Sequence, residues 1–302
     1  MKFSVIIPVF NKADTIPTSL NSVFAQTYRD FEIIVVNDGS TDNIQQVLSQ
    51  YEGLVVINQE NAGVSAARNA GINKAQGEYL CFLDADDIYF PNHLSVLNEL
   101  INKYPSNGFY CTSHIETFAD GDNIDSSIRL PEFIKKSSDY NCDNLFKLVN
   151  TYSDGIIHTN SFCIKKELLI INKIFFAVGE KQGEDTDLWY RVALKNNIIL
   201  SKVPTTQYRR EYSTATKFGV KTKDWVFIRR IGEIQKDKSI SNAIKMEVLL
   251  LADRYHLKCA RDYKLEGKFI DAMSECRKVV YRCNKRYLLS VVYCLLPWQV
   301  SK

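Results

Sequence analysis

The amino-acid sequence predicts an α/β fold: a mostly parallel sheet with helices on both faces, followed by a helical C-terminal extension. Three observations predict it. Dense apolar runs of strand length alternate with amphipathic runs of helix length from Phe3 to Ile101, the pattern of a sheet buried on both faces. The connections are short and rich in Gly, Asn, Asp and Ser, which serve turns and helix caps. Beyond Lys217 the apolar residues recur at helical spacing, near Lys223–Gln235, Asn242–Tyr263 and Phe269–Arg282.

Taken in order, Phe3–Phe10 reads as a first buried strand. A helix opens near Asp14 with Pro17 in its first turn, and Ile16, Leu20, Val23 and Phe24 form its apolar face. Phe31–Val36 is a second strand, ended by Asn37-Asp38-Gly39-Ser40. Thr41 and Asp42 then offer caps, Ile44, Val47, Leu48 and Tyr51 form a stripe, and Gly53 stops the helix. Leu54–Asn58, Val64–Ala75 and Glu78–Leu83 continue as strand, helix, strand, and Pro91 opens a helix carrying Leu94, Leu97 and Ile101. From Phe109 to Tyr212 the pattern is looser, with strands at Phe109–Ser113 and Ile198–Val203 and a helix around Asp185–Lys195. The last two C-terminal helices, joined around Gly267, read as one hairpin.

With 302 residues, 45% of them hydrophobic and 24% charged, the chain can bury a full core, which excludes disordered and collagen-like classes. A single core stops growing at about 250–300 residues, so one large domain with a helical appendage is expected. The net charge of +3 hides an asymmetry. Residues 1–216 carry a net of −7, and residues 217–302 a net of +10, with 19 Lys and Arg against 9 Asp and Glu. A basic tail implies an anionic partner. The eight cysteines, at 81, 111, 142, 163, 259, 276, 283 and 294, form no Cys-x-x-Cys pair and read as reduced thiols of a cytosolic protein. Met1–Asn11 reads as a strand and not a signal peptide, and no apolar stretch reaches the roughly 18 residues of a spanning helix.

In a sheet of this kind, polar residues just past the strand carboxyl ends gather in one crevice. Asp38 and Asp84 both hold that position. No Gly-x-Gly-x-x-Gly or Gly-x4-Gly-Lys-Ser/Thr follows any strand, which disfavours a nicotinamide dehydrogenase or a P-loop ATPase. In Leu83-Asp84-Ala85-Asp86-Asp87 three carboxylates follow an apolar strand. Close carboxylates repel unless a cation or proton lies between them, and oxygen donors suit Mg²⁺ or Mn²⁺. The same acids fit plain capping of the helix that Pro91 opens. No two of the four histidines, at 93, 114, 158 and 256, are spaced for a metal. His158 reads as a surface or satisfied core histidine, and no Gly-x-Ser-x-Gly elbow argues for a hydrolase.

Five ordered segments carry a family resemblance: Phe3–Asn11 (FSVIIPVFN), Phe31–Asp42 (FEIIVVNDGSTD), Asn61–Asn73 (NAGVSAARNAGIN), Gly77–Asp87 (GEYLCFLDADD) and Gly183–Arg191 (GEDTDLWYR). Together they resemble family 2 glycosyltransferases over roughly residues 1–215. The resemblance implies a GT-A fold, a nucleotide-diphosphate sugar donor, Mn²⁺ or Mg²⁺, and inversion at the anomeric carbon. It divides the chain into a nucleotide-sugar half (1–108), an acceptor half (109–215) and a basic helical region (216–302).

By the same resemblance, Pro8 and Phe10 line the nucleobase pocket and Asp38 accepts a hydrogen bond from the base. Arg68 binds the donor, though alone it fits an ordinary exposed helix arginine. Asp84 and Ala85 lie at the ribose and metal shell, and Asp86 is the direct metal ligand. Asp185 is implied to be the general base, with Glu184 beside it, although Glu184, Asp185 and Asp187 alone fit a capping cluster at a helix amino terminus. Trp189 fits core or acceptor platform. Where many relatives have Tyr-Arg-x-His, this chain has Tyr208-Arg209-Arg210-Glu211. Glu211 therefore stands where a metal or diphosphate histidine is expected and is read as a third metal ligand.

The tail completes the reading. Arg277, Lys278, Arg282, Lys285 and Arg286 precede the apolar Tyr287–Val300, a combination suited to the interface of an anionic bilayer. A helix docked on the catalytic domain or in a homodimer interface fits the same residues, and no nucleic-acid module is visible. The expectation is an inverting hexosyl- or N-acetylhexosaminyltransferase that uses a UDP-sugar and a lipid-linked or surface-polysaccharide acceptor, peripheral on the cytoplasmic face of the cell membrane. A nucleotidyltransferase and a non-catalytic scaffold are the rivals.

Overall fold

A computed structural model describes residues 1–152, 155–180, 182–212 and 225–280. Strands β1 (Phe3–Val9), β2 (Phe31–Asp38), β3 (Leu54–Gln59) and β4 (Tyr79–Phe82) alternate with helices α1 (Ile16–Phe24), α2 (Ile44–Leu48) and α3 (Val64–Lys74). Then come β5 (Ile88–Tyr89), α4 (His93–Lys103), β6 (Phe109–Thr117), β7 (Asn123–Asp125), α5 (Glu132–Lys135), β8 (Asp139–Cys142) and α6 (Leu145–Thr151). Next are β9 (Phe162–Lys165), α7 (Lys166–Ile171), α8 (Glu184–Ala193) and β10 (Ile198–Arg209). The C-terminal helices are α9 (Val226–Arg229), α10 (Ile231–Lys236), α11 (Asn242–Leu265) and α12 (Phe269–Lys278).

One sheet runs in the order β3-β2-β1-β4-β9-β6-β10-β5, with β7 on β6 and β8 on β10. From β3 to β4 every ladder is parallel, as βαβ crossovers require. β9 pairs antiparallel with β4 and with β6, and the long β6–β10 ladder returns to parallel. β1 is buried throughout because its side chains feed both faces. Val5, Ile7 and Val9 join Ile16, Leu20 and Val23 in one core, while Ile6 joins Ala67 and Ile72 in the other. Burying each such side chain contributes about 1.5–3 kcal/mol before entropy is counted. Helices therefore cover both faces, as the sequence predicts.

The looser stretch contains more structure than its pattern shows, since β8, α6, β9 and α7 all lie within it. The predicted strand at Ile198 also runs on to Arg209, with register shifts between Leu200 and Thr206. The helix expected over Lys223–Gln235 is two short helices meeting at Arg230; its first two residues, 223 and 224, lie outside the described residues. The break places Arg230 Nε 2.7 Å from Asp187, whose carboxylate is 0% exposed and also bound by Arg191 at 2.6 Å. Phe227, Ile234, Ile240, Val248 and Leu251 belong to the same core as Ile6, so the C-terminal helices pack directly onto the α/β body. α11 and α12 form the expected hairpin, turning at Gly267 (φ +74°) and burying Leu257, Ala260, Ala272 and Cys276 between them. α12 stops at Lys278, short of the expected Arg282, which lies outside the described residues. The six described cysteines are buried free thiols.

His93 on α4 is 0% exposed, lies against the Tyr89 ring at 4.0 Å and places Nδ1 2.6 Å from Thr205 Oγ1. Burial pushes its pKa down from 6.5 to about 3, and burial does the same to His158. Each is neutral when folded and titrates near 6.5 when unfolded, so the unfolded chain binds more protons below that value. Their contribution is complete above pH 6.5 and is lost as pH falls toward 3. Denaturant unfolding between pH 6.5 and 5 should lose up to about 1.4 kcal/mol per pH unit per histidine. His93→Gln should flatten that slope, and an unchanged slope would contradict the assignment.

Candidate active site

The crevice lies at the carboxyl ends of β1, β2 and β4, where open α/β sheets bind ligands. β4 pairs with β1 only up to Ile6–Phe82. Pro8 therefore lies past the end of that ladder, where its missing N–H leaves no β4 bond unmade. Beyond it Phe10 is 46% exposed at the mouth of the crevice. Asn11 takes a left-handed φ of +52°, and its amide accepts from Thr41 N at 2.8 Å. Asn11 N donates to Ser40 Oγ at 3.0 Å and Ala13 N to Asp42 at 2.9 Å, locking the loops after β1 and β2 together.

Asp38 is 3% exposed. Its carboxylate accepts from Gln59 Nε2 at 2.7 Å, Ala62 N at 2.9 Å and Gly63 N at 2.8 Å. It thus fastens the chain that enters α3. Gly39 beside it needs φ +73°, and a Cβ there would come within 2.7 Å of Asn61 N.

The acid loop after β4 is held from three directions. Asn160, 0% exposed on a 3-10 turn over Thr159–Ser161, accepts from Asp84 N at 3.0 Å and donates its amide to Asp87. Arg209 at the end of β10 donates N to Asp87 at 2.8 Å and Nε to the Asp86 carbonyl at 2.5 Å. Lys12 Nζ lies 2.7 Å from Asp86 Oδ2. Asp87 is 1% exposed, and burial, aided by Asp86 and Asp84, raises its pKa well above the usual carboxylate range. Burial and then Asp84 also raise Asp86. Ala85 is buried in the core beneath.

Arg68 connects this loop to α8. It is 4% exposed, places NH2 2.8 Å from Asp84 and NH1 3.1 Å from Glu184, and stacks on Phe176 at 5.1 Å. An exposed helix arginine is therefore excluded. Burial and then Asp185 raise the pKa of Glu184, and Arg68 opposes them. Asp185, half-buried beside it, accepts from Thr186 N at 2.6 Å, and Thr159 Oγ1 lies 3.4 Å from its other oxygen. The entry to α8 turns at Gly183, left-handed at φ +77°, with Trp225 against it.

Asp84, Asp86, Arg68, Glu184 and Asp185 are thus one connected constellation, with Pro8, Phe10 and Asp38 along its β1–β2 edge. Trp189 is 6% exposed and meets Phe162 edge-on at 5.8 Å, so it supports α8 from the core and offers no open platform. Glu211 lies past the end of β10, one residue before Tyr212, whose carbonyl accepts from Lys12 Nζ at 2.8 Å. Among the described residues no three carboxylate, imidazole or thiol groups converge as a metal cluster, and Glu211 makes no hydrogen bond or ion pair. In that segment Arg209 bonds the acid loop directly. His158 is a part-buried histidine whose Nδ1 lies 3.4 Å from Asn160 N and whose ring lies 4.3 Å from that of Tyr208. Asp84 and Asp86 still fit a hard divalent cation, because the ammonium on Asp86 marks a place that takes positive charge.

Sequence reasoning assigned no role to Lys12, Thr159 or Asn160. Asn160→Ala should cost about 2 kcal/mol in denaturant unfolding, since it strands one buried amide and one buried carboxyl. A change below about 0.5 kcal/mol would show that these bonds do not hold the acid loop.

The family model "Glycosyl transferase family 2" matches residues 4–153. An uncharacterised glycosyltransferase of Rickettsia typhi is 31% identical over 194 residues, 62% of this chain; the chain spans only 57% of that relative's length. The crystal structure of S. aureus TarS 1–349 in complex with UDP-GlcNAc matches with a TM-score of 0.72 at 23% identity, over 93% of this chain and 82% of that one. A mannosyltransferase from Pyrobaculum calidifontis, solved with GDP-Man and Mn²⁺, matches with a TM-score of 0.57 at 16% identity, over 99% and 81%. These structural likenesses carry the GT-A fold. Through residues 4–153, and with the acid loop and Arg68 inside them, this chain belongs to glycosyl transferase family 2.

Proposed function

We propose that the protein is an inverting, divalent-cation-dependent glycosyltransferase. It moves a hexose or N-acetylhexosamine from a UDP-sugar to a hydroxyl of a lipid-linked oligosaccharide or surface-polysaccharide precursor. The observation that carries this reading is Arg68, which joins the acids after β4 to those opening α8. The TarS complex with UDP-GlcNAc supports uridine, and the Pyrobaculum complex supports manganese.

In this reading Phe10 and the Pro8 backbone border the base, and Asp38 stabilises their edge of the pocket. Asp84 and Asp86 hold Mn²⁺ or Mg²⁺, whose charge when bound offsets that growing on the leaving diphosphate. Arg68 keeps Asp84 and Glu184 at fixed separation. Asp185 accepts the proton of the acceptor hydroxyl, as a base on the face opposite the leaving group must for single displacement. Glu211, one residue before the Tyr212 carbonyl that Lys12 bonds, tunes the choice of metal.

The acceptor and location rest on the C-terminal region. Its net charge of +10 over residues 217–302 supports contact with an anionic membrane surface through residues 277–300. Arg277 and Lys278 end α12, whereas Arg282, Lys285, Arg286 and Tyr287–Val300 lie outside the described residues. Among the described residues no helix is long and apolar enough to cross a membrane. A peripheral site on the cytoplasmic face is the reading in keeping with this. The division at residue 216 is accordingly a functional one, since the two regions share a core.

Asp185→Asn should lower transfer from a UDP-sugar at least about a hundredfold while UDP affinity stays within about twofold. Loss of UDP binding would instead make Asp185 structural. Asp86→Ala should bind UDP equally with Mn²⁺ and with chelator, and turnover undiminished in that variant would refute the metal assignment.

A further inference from the structure

Lys12 is a charged residue at this site that neither the motif reading nor the proposed chemistry uses. Its Nζ lies 2.7 Å from Asp86 Oδ2 and donates to the Tyr212 carbonyl at 2.8 Å. The side chains of the pair are 21% and 14% exposed, so water screens them only partly. The backbone of Lys12 is immobilised by its neighbours: Asn11 and Ala13 are bonded to the loop after β2, and the Lys12 carbonyl accepts from Thr15 N at 3.1 Å and Ile16 N at 3.0 Å. The movable part is the four-carbon stem, which carries a compact ammonium.

We propose that Lys12 is the exchangeable counter-ion of the Asp84–Asp86 pair, holding Asp86 while no divalent cation is present and yielding it when one binds. The inference rests on the metal-dependent reading above. Two part-buried carboxylates two positions apart repel without a cation between them. Arg68 answers Asp84 and Lys12 answers Asp86, so the loop is neutralised pairwise. A doubly charged ion about 2 Å from an Asp86 oxygen and an ammonium 2.7 Å from the same carboxylate are like charges within a few ångströms. Their repulsion is of the same order as the attraction either feels for Asp86. The Arg68–Asp84 pair is buried at 4% exposure on the arginine and has no comparable freedom to leave. The exchange therefore falls on Lys12, and the free enzyme keeps its acid loop ordered at the expense of metal affinity.

The test uses the metal-stripped full chain with Mn²⁺ as the probe. Calorimetric titration of Lys12→Met without nucleotide should give Mn²⁺ affinity raised about tenfold over the parent, since no ion pair is broken on binding. Lys12→Arg, which keeps the charge, should stay within about threefold. In chelator Lys12→Met should melt below the parent and gain more from Mn²⁺. On the unaltered protein, acetylation of Lys12 read by mass spectrometry should speed up several-fold when Mn²⁺ is added, with the other lysines unchanged. That second readout stands even if Lys12→Met fails to fold. Equal or weaker Mn²⁺ affinity in Lys12→Met, or Lys12 labelling indifferent to Mn²⁺, overturns the proposal while leaving the metal site intact. No Mn²⁺ binding by any of the proteins, with UDP present as well, removes the metal reading itself.

Discussion

Everything at this site depends on one buried guanidinium. Arg68 is only 4% exposed, and its two ion pairs reach carboxylates 16 and 116 residues away. Without it, the part-buried Asp84 and the more deeply buried Glu184 would lose the cation that pairs with both. A carboxylate so placed is costly to keep ionised. Burial already raises the pKa of Glu184, and Arg68 is what opposes it. The same interaction sets geometry, because it fixes how far the α8 acids stand from the acid loop.

Charge balance extends outward from that residue. Asp86 is answered by Lys12, Asp87 by the Arg209 backbone and Asn160, and Asp187 by Arg191 and Arg230. The last group reaches the C-terminal helices, so α8 is braced by Arg68 at Glu184 and by Arg230 at Asp187. A rigid α8 keeps Asp185 in one place, the condition for a base that acts in a single displacement. The acids keep one route to further positive charge, through the solvent-facing side of Asp84 and the part-exposed ammonium of Lys12.

Of the first four strands, β1, β2 and β4 were legible because they are parallel and largely buried on both faces, so each shows as an apolar run such as Ile33–Val36; β3, the part-exposed edge strand, keeps the shorter run Leu54–Ile57. Ends past those strands were legible for the same reason, which is why Asp38, Asp84 and Asp86 fall where the sequence places them. β8 and β9 were not. Each has four residues, and β9 earns its place only by antiparallel pairing between β4 and β6, about 80 and 50 residues away in the chain. The break at Arg230 was invisible because local spacing favours one helix, whereas the pull comes from Asp187 forty-three residues earlier. Lys12 and Asn160 escaped for a like reason, since an ammonium in a loop and an amide in a turn gain meaning only beside Asp86 and Asp87.

The central claim is that this crevice binds a nucleoside diphosphate through a divalent cation held by Asp84 and Asp86. Calorimetric titration of UDP, GDP and CDP into the purified protein, first with Mn²⁺ and then with chelator, tests it most directly. The account predicts binding of UDP in preference to the other two, weakened by chelator. Absence of binding by all three nucleotides in both conditions would contradict it.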